Sequence, residues 1–141
     1  MKIQPSSKDI YSFGSVVEIE ELETNDDPLD SSDDILEALA VVGGSFNDEN
    51  IGSVFIYRRN NIGTWVEESI LQAPPHSSSD CHRFGYSLVL SEGSLLISAK
   101  TKNSQGIFFS YERIVTKDRI FWKNTGSIQP SPGTTFFGKI Q

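Results

Sequence analysis

The sequence is poor in sulfur, has no long apolar run, and lacks basic residues where its acids are densest. Cys81 is the only cysteine among 141 residues, so an internal disulfide framework is excluded. At this length a hydrophobic core can form without a disulfide or metal staple. No apolar stretch approaches the roughly 18–20 residues of a membrane span. The opening run Met1-Lys2-Ile3-Gln4-Pro5-Ser6-Ser7-Lys8 lacks the apolar stretch of a signal peptide. Direct membrane insertion is therefore not expected. No segment shows a sustained helical period, although residues 33–40 have room for one helical turn. Lys and Arg number 12 against 19 Asp and Glu, a net charge of −7. Such a balance neutralises phosphates poorly and argues against a nucleic-acid partner.

The acidity belongs to one segment. Residues 18–37 hold ten acids (Glu18, Glu20, Glu21, Glu23, Asp26, Asp27, Asp30, Asp33, Asp34, Glu37) and no Lys or Arg, leaving the remainder at +3. Outside it, an internal repeat organises the chain. Tyr11-Ser12-Phe13-Gly14-Ser15-Val16-Val17 matches His82-Arg83-Phe84-Gly85-Tyr86-Ser87-Leu88, and a third copy opens at Phe136-Phe137-Gly138-Lys139-Ile140. Leu39-Ala40-Val41-Val42-Gly43-Gly44 aligns with Ser94-Leu95-Leu96-Ile97-Ser98-Ala99. Gly52 and the run to Arg59 align with Gly106 and the run to Arg113, Trp65 with Trp122, and Leu71-Gln72-Ala73-Pro74 with Ile128-Gln129-Pro130. Phe13 and Phe84 are 71 residues apart but Val41 and Leu96 only 55, so about 16 extra residues, the acidic ones, are inserted into the first copy.

Each copy reads as four short strands separated by Gly, Asn and Ser turns, without helices. In the second copy the first strand is expected over 84–90. A four-stranded antiparallel unit of about 50 residues has the size of a β-propeller blade. The expected fold is therefore all-β. It comprises a first blade over 11–75 with an insert near 18–37, a linker over 76–83, a second blade over 84–132, and the start of a third over 136–141. One blade cannot cover both its faces alone. Two and a third units thus read as an incomplete propeller: a fragment of a longer gene product, or an open assembly that must pair with something.

These residues resemble the FG-GAP repeat, the blade of the integrin α-subunit propeller. Phe13-Gly14, Phe84-Gly85 and Phe137-Gly138 fill its Phe-Gly position. Gly43-Gly44-Ser45 and Ser98-Ala99-Lys100 stand at its Gly-Ala-Pro position, with the proline missing from both. The resemblance implies a non-enzymatic module for protein or glycan recognition at the cell surface, as part of a longer extracellular chain whose remaining blades are its neighbours. The alternative is an accessory or structural propeller of a larger surface protein or enzyme, with no ligand of its own. The glycines are expected to admit the adjoining unit, and the phenylalanines to fill the space between units.

The resemblance also implies a Ca²⁺ loop before the second strand. In register, its ligand positions fall on Ser31, Asp33, Ile35 and Leu39, of which one is acidic, so that motif is missing. Asp26, Asp27, Asp30, Asp33 and Asp34 still offer oxygens for a loosely held divalent cation. A solvated loop of mutually repelling charges is the favoured reading, and no cofactor is otherwise expected. Asn47-Asp48-Glu49-Asn50 reads as a turn. The cluster His76, Ser77, Ser78, Ser79, Asp80, Cys81, His82 invites a catalytic reading but carries neither a nucleophile elbow nor a zinc spacing. It reads as a linker, and no enzymatic activity is expected. Tyr57, Tyr111, Trp65 and Trp122 read as packing between units before a sugar platform, and Arg58, Arg59 and Arg113 as solvent-facing or acid-paired.

Overall fold

The computed structural model describes residues 3–4, 10–22, 37–47, 52–74, 81–101 and 106–129. Among them there is no helix, and the fold is all-β, as expected. The first sheet is a meander in the order β1 (Ile10–Glu21), β2 (Ala38–Asn47), β3 (Ser53–Arg59), β4 (Trp65–Leu71). The second runs β5 (Cys81–His82), β7 (Ser94–Thr101), β8 (Gly106–Val115), β9 (Ile120–Ile128), with β6 (Leu88–Ser91) also paired to β7. All pairings are antiparallel. β5 and β6 together do for the second sheet what β1 does for the first.

The ladders match position for position. Val17 pairs with Val42 where Leu88 pairs with Ile97, and Arg59 pairs with Trp65 where Arg113 pairs with Trp122. Both first strands are disturbed at Phe-Gly. In β1 the register slips between Phe13 and Val16. In the second sheet residues 83–87 leave the ladder as a turn, so the strand expected over 84–90 begins only at Leu88. Arg83 and Gly85 there have φ of 55° and 90°, incompatible with an extended strand. Ser98 satisfies the turn from below. Its carbonyl accepts from the Gly85 and Tyr86 amides, and its hydroxyl accepts from the Ser87 amide at 2.9 Å and meets the Ser87 hydroxyl at 2.8 Å. The end of the expected linker is also strand, since Cys81 and His82 pair with Thr101 and Lys100. Residues 75–80, including His76, Ser77, Ser78, Ser79 and Asp80, lie outside the described residues, as do Asp48, Glu49 and Asn50.

Side chains alternate between sheet faces, which defines a front and a back. The front of the first sheet carries Phe13, Ala40, Val42, Phe55, Tyr57 and Trp65, and these form one apolar cluster. Its back carries Leu39, Val41, Val54, Ile56 and Leu71. The repeat equivalents of the front set are Phe84, Leu95, Ile97, Phe109, Tyr111 and Trp122. All six pack against the back of the first sheet in the main core. The sheets therefore stack front to back, in one sense, rather than as mirror-related layers. An ordinary two-layer sandwich has polar outer faces. Here the outer face of the first sheet has its own buried apolar cluster.

Glycine lets the backbones meet at this seam. A β-carbon on Gly85 would lie 2.9 Å from Val54 Cγ2 and 3.2 Å from the Ser53 carbonyl oxygen, across the seam. Gly14, its repeat equivalent, has a similar φ of +86° but no atom within 4 Å of that point among the described residues. The pair forms an internal control, because both positions carry the same backbone penalty for alanine. Gly85→Ala is expected to cost about 1–3 kcal/mol more than Gly14→Ala, the range for forcing atoms into a packed interior. Urea denaturation of the two variants measures the difference, and equal losses would place no close approach at Gly85.

Candidate functional site

At one end of the seam a groove of about 610 Å³ is lined by Glu20, Glu21, Leu22, Glu92, Gly93 and Arg113. Its walls come from both sheets. Glu20 is the penultimate residue of the long strand β1, directly opposite Leu39. Glu92 and Gly93 form the tight turn between β6 and β7, with φ of 51° and 77°. The Glu20 carboxylate accepts hydrogen bonds from both turn amides, those of Glu92 and Gly93. This turn is the repeat equivalent of the β1–β2 connection, so a two-residue turn in one sheet is met by the inserted segment of the other. The Leu22 amide donates to the Glu37 carbonyl at 2.8 Å, which closes the hairpin and fixes where the 23–36 connection leaves the sheet. Thus part of the acidic segment is not loop. Glu18, Glu20 and Glu21 belong to β1, and Glu20 clamps the second sheet.

Below the groove lies a buried polar cluster. Glu68 of β4 receives the Arg113 guanidinium in a two-pronged contact, Nε to Oε2 at 3.1 Å and Nη2 to Oε1 at 2.6 Å. The Trp122 indole N–H donates to Glu68 Oε2 at 2.9 Å. Arg58 Nε stands 3.9 Å from Oε1, and its Nη1 lies 3.5 Å from Glu37. The Glu68 and Arg113 side chains are only 7% and 10% exposed. Burial alone would raise the Glu68 carboxyl's pKa. The Arg113 and Trp122 hydrogen bonds, with the charges of Arg113 and Arg58, outweigh burial and hold it below its ordinary value. Arg113 also closes the groove from beneath, its amide donating to the Gly93 carbonyl at 2.9 Å.

Both phenols stay protonated at neutral pH. Burial, with Glu67 nearby, pushes Tyr57 up to about 12, and burial raises Tyr111. The Tyr57 hydroxyl donates to the Gln4 carbonyl at 3.2 Å. Tyr111 and Trp122 lie in the core between the sheets, and Tyr57 and Trp65 in or against the front cluster of the first. Tyr111 and Trp122 thus pack between the units as expected, whereas Tyr57 and Trp65 pack on the outer face of the first sheet.

Of the Phe-Gly and second-strand residues, Gly43, Phe84, Gly85 and Ala99 lie along the same seam. Phe84 is fully buried and tilted against Phe109, with ring centroids 5.6 Å apart. Ala99 is buried beside it in the core. Gly43 and Gly44 sit in β2, where Gly43 faces the Gly85 carbonyl so closely that a β-carbon would lie 2.6 Å from that oxygen. Phe13 stands edge-on to Phe55, at 5.3 Å, on the front of the first sheet. Phe137 and Gly138 lie outside the described residues. So do Asp26, Asp27, Asp30, Asp33 and Asp34, the candidate cation ligands. Among the described residues no three His, Cys, Asp or Glu side chains group as a metal site, and no helix is long and apolar enough to cross a membrane. The groove has the carboxylates of Glu20, Glu21 and Glu92 on its walls, with the Glu20 carboxylate and the two turn amides engaged with each other and the arginine committed to Glu68. A search of known protein families, curated proteins and solved structures finds no match to this chain.

Two residues central to the site, Glu20 and Glu68, escape the sequence reading. Glu20 is hidden among the neighbouring acids of its segment. Glu68 leaves a faint mark: a glutamate inside a strand whose repeat partner carries threonine there, Thr125.

Proposed function

We propose that the chain is a non-enzymatic recognition module built of FG-GAP-type β-propeller blades, acting on a protein or glycan at the cell surface as part of a larger extracellular assembly. The observation that carries this reading is the front-to-back stacking of two repeat-related sheets. It gives a rigid frame and brings strand ends and connections together at one end of the seam, where binding loops are best supported. At that end the acid-walled groove adjoins the root of the 23–36 connection, which carries Asp26, Asp27, Asp30, Asp33 and Asp34. The partner surface is therefore read as basic, or, for a glycan, rich in hydroxyl donors. Attraction of this kind sets association rate and salt dependence more than final affinity.

Replacing those five aspartates with asparagine is the direct test. The parent chain, screened against protein and glycan arrays, is expected to yield a partner whose affinity falls with rising salt. The variant should bind it at least roughly tenfold more weakly, with a flattened salt dependence. Unchanged affinity and salt slope would remove the insert from recognition. Adding Ca²⁺ during the same measurement tests whether those aspartates also hold a cation.

A further inference from the structure

The two outer faces of the stack differ. The front of the first sheet is covered by the chain itself: Ile3 packs on its apolar cluster, and the Tyr57 hydroxyl reaches the Gln4 carbonyl. The back of the second sheet is more open. Ile128 is 54% exposed there, whereas its repeat equivalent inside the seam, Leu71, is 8% exposed. Val89, Leu96 and Phe108 beside it are half-buried. Gly106, at the head of β8, is nevertheless buried.

The internal seam shows what such a back face is shaped to receive. The segment that opens the second unit lies across the head of β3. A β-carbon on Gly52 would lie 2.2 Å from the Phe84 carbonyl oxygen, and one on Gly85 would lie 2.9 Å from Val54 Cγ2. The Phe84 ring is fully buried beside these contacts, in one cluster with Val41, Val54 and Leu71. The second sheet's back repeats this receiving surface: Gly106 stands for Gly52, Phe108 for Val54, Leu96 for Val41 and Ile128 for Leu71. The pairing is retained as well, Val54 opposite Leu71 and Phe108 opposite Ile128. One position departs. Gly43, which faces the Gly85 carbonyl, becomes Ser98, whose hydroxyl is engaged with Ser87.

The chain carries a second segment of the matching kind. Phe137-Gly138 repeats Phe84-Gly85 and follows Ile128 by nine residues, where Phe84 follows Leu71 by thirteen. Nine residues reach up to about 30 Å when extended, ample for the spacing of about 10 Å between stacked sheets. We propose that the back of the second sheet is the docking face for the chain's own residues 136–140, which lie outside the described residues. The Phe137 backbone lies against Gly106, its ring covers Phe108 and Leu96, and Gly138 meets Phe108. Ser98 in place of Gly43 holds the incoming backbone farther from β7 than in the internal seam. Each outer face is then covered by the chain itself, one by residues 3–4 and the other by residues 136–140. The proposal rests on the stacking alone and is independent of the recognition reading.

Urea unfolding of the full 141-residue chain tests it. Phe137→Ala is expected to lower the folding equilibrium constant roughly tenfold or more, and Phe137→Leu by less, the order for a ring removed from a packed site. Phe136→Ala should cost clearly less than Phe137→Ala, because Arg83 holds the corresponding place and no ring is needed there. Phe108→Ala combined with Phe137→Ala should lose less than the product of the separate losses, by about threefold or more, as for residues in contact. The midpoints should not depend on protein concentration, and the parent chain should sediment at 15.7 kDa. A smaller loss for Phe137→Ala, an equal loss for Phe136→Ala, or independent losses in the double variant would overturn the proposal. A midpoint that rises with protein concentration would overturn it too, by showing that a second copy supplies the segment.

Discussion

Phe84→Ala is expected to lower the stability of the chain by about 3–5 kcal/mol, the usual cost of emptying a buried phenylalanine site. That is a large part of the roughly 5–15 kcal/mol a domain of this kind possesses. The ring is fully buried and contacts Phe109. Its surroundings resist collapse, because the backbone beside it already touches the first sheet: a β-carbon on Gly52 would lie 2.2 Å from the Phe84 carbonyl oxygen. Where relaxation is prevented the cavity persists, and the loss lies toward the upper end. Phe13→Ala supplies the comparison. Phe13 has the same motif position but is half-buried on the outer front, so it should cost clearly less. Urea unfolding of both variants measures the contrast, and a loss below about 1 kcal/mol for Phe84→Ala would deny the ring a role in the core.

Glu68→Gln is expected to cost about 3–5 kcal/mol at neutral pH, the range for removing one partner of a buried ion pair. The substitution leaves the Arg113 guanidinium buried without its countercharge. Part of that cost is the orphaned cation rather than the worth of the pair itself. The effect has a pH signature. The folded pKa of Glu68 lies below the ordinary glutamate value of 4.5, so the carboxylate contributes stability at pH above that value. The contribution is lost as pH falls through the lowered folded value. The gap between parent and Glu68→Gln should therefore be widest near neutrality and narrow below about pH 4.5. A gap that stays constant from pH 7 to pH 3 would contradict the pairing. Other acids titrate over the same interval, and taking the difference between the two proteins removes their common contribution.

How far these features can be read from sequence depends on whether a local rule or a neighbour determines them. The repeat, the four-strand units and the position of the insert are legible because alternation, turn residues and spacing are local. The burial of Phe84 and the close approach at Gly85 follow from them, since a motif at every unit boundary has to sit between units. What alternation cannot supply is which face meets which. Glu68 is one acid in an alternating strand until the second sheet's Arg113 and Trp122 are placed opposite it. Glu20 reads as one more acid of the insert until the Glu92–Gly93 turn is found donating to it. The same limit hid two local details. The turn at 83–87 depends on Ser98, on another strand, to accept its amides, and Cys81–His82 is strand only because Lys100 and Thr101 are there to pair with it.

The central claim is that two repeat-related sheets form one unit, stacked front to back across a polar-pinned seam. A double-mutant cycle between Glu68→Gln in the first sheet and Arg113→Gln in the second, read by chemical denaturation, tests it most directly. The account predicts one cooperative transition for all four proteins and a coupling energy of at least about 1.5 kcal/mol, within the range for residues in direct contact. Losses additive to within about 0.5 kcal/mol, or two separate unfolding transitions, would show that the sheets are not joined there.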